Sequence, residues 1–76
     1  MSFRTLSAGD VVDVRFNGSK TYGNDPYTMT NLKVVDKNSD TITLRSDSEG
    51  EFELYFFENR WRYGTSAEVA KLLASY

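Results

Sequence analysis

The chain of 76 residues has neither histidine nor cysteine. That removes the commonest general base, the commonest metal ligand and all thiolate chemistry. Carboxylates, lysines and tyrosines are the remaining acid-base groups, and no spacing in the sequence pairs two of them for catalysis. Asp36-Lys37-Asn38-Ser39-Asp40 copies the first five positions of a calcium loop. Its sixth position is Thr41 where the turn needs Gly, and its twelfth is Asp47 where the ion needs a bidentate Glu. This segment reads as a polar turn, with no metal expected. Gly18 and Gly23 lack the Lys-Ser/Thr ending of a phosphate loop. No cofactor and no enzymatic activity are expected, because a barrel of this size is filled by its own side chains and offers no deep pocket of roughly several hundred Å³.

The remaining chemistry is recognition. Tyr55-Phe56-Phe57 sits on a strand, where neighbouring side chains point to opposite faces, so the three cannot share one core. With Phe56 inside, Tyr55 and Phe57 project outward beside Arg62 and Arg60. Aromatic residues with arginine are enriched at interface hot spots. Asp47, Glu49, Glu51, Glu53 and Glu58 fall within residues 46–59, which hold no Lys or Arg. Glu51 and Glu53 share the face of Tyr55 and Phe57 and suit docking or steering on a basic surface; acids on a strand also block edge-to-edge aggregation. A third candidate is the long loop 17–26, carrying Tyr22 and Asp25 and leading into Tyr27; long loops on rigid scaffolds carry binding residues.

The elements that position these groups are strands. Val12, Val14 and Phe16 alternate with Asp13 and Arg15 over 11–16. Tyr27 to Val35 is rich in β-formers, and a bulge near Thr30-Asn31 brings Met29 into phase with Leu32 and Val34. Ile42 and Leu44 face inward over 41–45, and Ser46 to Gly50 turns the chain. Phe52, Leu54 and Phe56 share one face over 51–57. A two-residue turn at Glu58-Asn59 sets Phe56 opposite Trp61 and Leu54 opposite Tyr63; a three-residue turn slips that pairing by one. Leu6 tucks under the sheet edge. Thr65-Ser66-Ala67-Glu68 matches a capping box, and Val69, Leu72, Leu73 and Tyr76 form a stripe at helical spacing. A C-terminal helix over about 66–76 follows. It either covers Tyr55 and Phe57 or caps a barrel end and leaves them open.

Length allows one domain, 1–76, with the barrel over about 9–63. Such a chain removes only ~60% of its unfolded surface from water, so its stability margin is thin. Nine Lys/Arg against eleven Asp/Glu give a net charge of -2, against the basic balance usual for nucleic-acid binders. No stretch approaches the roughly 20 apolar residues of a membrane span, and the N-terminus has no apolar run of signal-peptide length. The expectation is a soluble, cytoplasmic protein with no membrane partner.

Five short strands with a long loop after the first resemble SH3-like barrels over roughly residues 9–63. That resemblance implies a small antiparallel five-stranded barrel whose long loop helps frame a groove for proline-rich peptides, here from Tyr22, Tyr27 and Trp61 with Asp25. Gly23 to Leu32 is similar to the Gly…Asp…Met-Asn-Leu segment of the Sm-like family, with Thr30 inserted between Met29 and Asn31. That second resemblance implies RNA binding and ring assembly. The reading that joins these features is a non-enzymatic protein-binding module using Tyr55, Phe57, Arg60, Arg62, Glu51 and Glu53. Stand-alone acidic domains of this size are often accessory or inhibitory proteins, for instance of phages. The alternative is a small barrel for nucleic acid or nucleotides, using Arg60-Trp61-Arg62-Tyr63 with Lys20, Lys33 and Lys37. Monomer and homo-oligomer both stay open.

Overall fold

A computed structural model describes residues 2–18, 25–64 and 68–76. After a 3-10 turn, Phe3–Thr5, come six strands: β1 Val11–Phe16, β2 Tyr27–Lys37, β3 Thr41–Ser46, β4 Gly50–Phe57, β5 Arg60–Tyr63 and β6 Glu68–Ser75. Each pairs antiparallel with the next, and β6 returns to β1, closing a barrel. The alternation in the sequence is the alternation in space. Val12, Val14 and Phe16 of β1, Leu32 and Val34 of β2, Ile42 and Leu44 of β3 and Leu54 of β4 are fully buried. Asp13, Arg15, Arg45, Glu51 and Glu53 lie at the alternate positions of the same strands.

Bulges bend this short sheet into closure. Between the pairs Val12–Leu32 and Val14–Met29, β1 spends one residue and β2 spends two, Thr30 and Asn31. This is the bulge expected from the phase of Met29. Asn31 takes φ 56°, a left-handed conformation that asparagine tolerates better than most residues. Its N–H donates to Oδ1 of Asp13 at 3.0 Å. Two further register shifts put Val35 of β2 and Leu73 of β6 at extra positions, and both are turned toward solvent. At the β4–β5 turn, Glu58 and Asn59 have φ 52° and 64°, the positive values of a two-residue hairpin turn. Phe56 therefore faces Trp61 and Leu54 faces Tyr63, which decides between the two registers.

The expected C-terminal helix and the strand count of five are both corrected. Residues 68–75 are a sixth strand. Thr65, Ser66 and Ala67 of the capping box lie outside the described residues, and Glu68, its fourth member, is buried on β6. The apolar stripe fits two periods: Leu72 is buried with Ala70, while Leu73 and Tyr76 are exposed. A helix of about ten residues is marginal alone. It would also leave β1 and β5 with unpaired edges, and a strand satisfies both at once. The barrel is longer at its start too. Phe3 and Leu6 are buried and plug the end where Phe3 meets Trp61 at 5.6 Å between ring centroids. Lys37 clamps this plug by donating from Nζ to the carbonyls of Arg4 and Leu6.

Candidate functional site

The hairpin β4–β5 presents one outer face. Tyr55 pairs with Arg62, and Phe57 with Arg60. Phe57 is 56% exposed. Arg62 leans diagonally onto it: Nε donates to the Phe57 carbonyl at 2.9 Å, and the guanidinium lies 6.0 Å from the ring centroid. Its other end approaches Glu58 at 3.9 Å. Tyr55 is half-buried and donates its hydroxyl to the Gly64 carbonyl at 3.1 Å. Glu51 is engaged laterally by Arg45 at 2.5 Å, while Glu53 and Arg60 are exposed. The aromatic pair is thus held on a rigid ladder, and since the C-terminal segment Glu68–Ser75 is in the sheet, no described helix lies over it. The sequence Arg60-Trp61-Arg62-Tyr63 divides between two faces: both arginines lie outside and Trp61, 7% exposed, belongs to the core. The four do not form one stacking platform.

The second candidate lies at the opposite end of the barrel from the Phe3 plug. Phe16, Tyr27, Phe52 and Tyr63 make a ring cluster, with Phe16 stacked on Tyr27 at 5.0 Å and Tyr63 at 5.3 Å from Phe16 and 5.1 Å from Phe52. The Tyr27 hydroxyl donates to Oε2 of Glu68 at 2.9 Å. Glu68 is only 5% exposed. Burial, and then the carboxylate of Glu68, raise the Tyr27 phenol well above its ordinary range, so it stays a donor. The grouping of Tyr22, Tyr27 and Trp61 is corrected in part. Trp61 packs instead on Phe3 and Phe56, because β5 directs Trp61 toward the plugged end and Tyr63 toward Tyr27. Tyr22 lies outside the described residues. Asp25 and Tyr27 border an open groove of about 650 Å³ with Met29, Ser48, Glu49 and Tyr63.

This groove is the feature that sequence reasoning missed, since a filled barrel was expected to offer no such space. The interior is filled; the groove lies at the mouth, between the start of β2 and the β3–β4 turn. Ser46 sets that turn. Its side chain, on a buried residue, accepts from the N–H groups of Ser48 and Glu49 at 3.2 Å each. Reading Glu68 as a helix cap hid its pairing opposite Tyr63. Among the described residues, no three acidic side chains converge as metal ligands. Asp36 and Lys37 close β2, and the Asn38 N–H donates to the Thr41 carbonyl across a hairpin turn. No described helix is long and apolar enough to cross a membrane. No protein-family model, curated protein or solved structure matches the chain.

Proposed function

We infer that this barrel is a non-enzymatic protein-binding module of the cytoplasm, which occupies a surface of a larger protein through the outer face of β4–β5. The observation that carries this reading is Phe57, more than half exposed on a rigid hairpin and flanked by arginines. A large ring fixed before contact loses little conformational entropy on binding. Tyr55 extends the apolar strip, Arg62 presents Phe57, and Glu53 with Arg60 sets orientation. The partner surface complementary to this face is an apolar pocket with a basic margin toward Glu53 and Glu51 and an acidic one toward Arg60. The role that goes with this reading is an accessory or inhibitory one, of the phage type, exercised by covering that surface.

The test uses Phe57→Ser. The substitution removes exposed surface and is expected to change stability by no more than about 0.5 kcal/mol. A protein captured by the wild-type barrel is purified and titrated against both forms. At least a tenfold loss of affinity in the folded variant supports the reading. Equal affinity of both forms, or capture that disappears when nuclease is present, overturns it.

A further inference from the structure

We propose that the mouth groove is a second binding site, which takes the guanidinium group of an arginine side chain on a partner polypeptide. Three features of the groove converge on that chemistry. The first is charge: the acidic residues Asp25 and Glu49 line it, and no Lys or Arg among the described residues does. The nearest described cations in register are engaged or placed elsewhere. Arg45 is paired with Glu51, and Arg15 pairs with Thr28 from β1 and is absent from the lining. The second is shape and surface. Tyr27, Tyr63 and Met29 supply flat and polarizable walls in a space of about 650 Å³. A guanidinium plane stacks on tyrosine while its N–H fork reaches carboxylate oxygens, which a compact, strongly hydrated ammonium does less well.

The third is rigidity. The backbone at Glu49 is set by the Ser46 side chain, which accepts from its N–H and from that of Ser48. Tyr27 is locked between the Phe16 ring and the Glu68 carboxylate. A site whose walls are fixed beforehand binds with less ordering cost. The groove is also separate from the hairpin face. Glu49 precedes β4, whose first residue Gly50 and last residue Phe57 lie about 23 Å apart along an extended strand. The two surfaces can therefore be tested independently.

The experiment is a two-dimensional amide NMR titration of the full chain with Nα-acetyl-arginine methylamide. The neutral isostere Nα-acetyl-citrulline methylamide and the lysine counterpart are run beside it. Shifts are expected at residues 27–29, 48–49 and 63, with half-saturation at millimolar concentration, as befits one side chain. The citrulline compound should leave them in place, and the lysine compound should bind at least threefold more weakly. Asp25→Asn with Glu49→Gln, both at exposed positions, should weaken the arginine response at least fivefold while keeping a dispersed, folded spectrum. Phe57→Ser should not alter it. Equal shifts from citrulline, equal binding of lysine, shifts spread over the whole acidic surface, or indifference to the double variant would each overturn the assignment. None of these results bears on Phe57, so failure here and failure of the hairpin reading are distinguishable.

Discussion

Tyr27 ties three strands together at the barrel mouth. Its ring lies on Phe16 of β1, its backbone opens β2, and its hydroxyl holds the buried carboxylate of Glu68 on β6. Tyr27→Phe keeps the ring and removes the donor, leaving Glu68 short of a partner in a buried place. The expected cost is about 1–3 kcal/mol, read as a fall in thermal midpoint of roughly 4–8 °C per kcal/mol. The same contact has a pH signature. Because the folded-state phenol is raised above its ordinary value of 10.0, the unfolded chain releases that proton first as pH rises. The contribution is complete below pH 10 and falls progressively above it. Melting from pH 8 to 12 should show the wild type losing stability above about pH 10, with a shallower decline in Tyr27→Phe. Some slope remains, because the hydrogen bond from Tyr76 to Asp13 also raises that phenol. Identical pH profiles for the two proteins would show that the Tyr27 proton is not coupled to folding.

The turn of the β4–β5 hairpin is not optimised for stability. Its turn asks both central residues for positive φ, and Glu58 is a poor occupant at 52°. Glu58→Asn together with Asn59→Gly supplies the preferred Asn-Gly pair and should add about 1 kcal/mol. It gives up the 3.9 Å approach of Glu58, whose side chain is 70% exposed, to Arg62, a long contact that contributes little. A higher urea midpoint with an unchanged denaturant slope is the expected result; a lower midpoint would mean that Glu58 contributes more than its geometry shows. At this scale the sequence was informative. The bulge at Thr30-Asn31 follows from the misphased Met29, whereas the Phe56–Trp61 pairing was one of two registers open in the sequence and was fixed by the positive φ of Glu58 and Asn59. The β6 segment was not legible in the same way, because Leu72, Leu73 and Tyr76 fit helical spacing while Glu68, Ala70 and Leu72 fit strand spacing.

For the whole molecule, closure is the organising demand. A chain this short has little core to spare, and its plug, Phe3 against Trp61 with Phe56 beside it, is a large share of that core. Phe3→Ala should cost about 3–5 kcal/mol, comparable with the lower end of a small domain's total stability of about 5 kcal/mol. The expected outcome is a population with red-shifted Trp61 fluorescence and a strongly lowered denaturant midpoint. Retention of the native midpoint would show that the barrel closes without its N-terminal turn.

Five strands, their inward residues and the outward placement of Tyr55 and Phe57 were determined by the sequence itself, because side-chain alternation is a local property of extended backbone; the turn geometry in the structure set Arg60 and Arg62 beside them. The fate of residues 68–75, the burial of Phe3 and the groove beside Tyr27 were decided only by tertiary structure. Each depends on groups distant in the chain: the unpaired edges of β1 and β5, the open end around Trp61, and the meeting of Glu49 with Tyr27 across the barrel mouth. Local pattern states which way a residue faces; barrel closure states what it meets there.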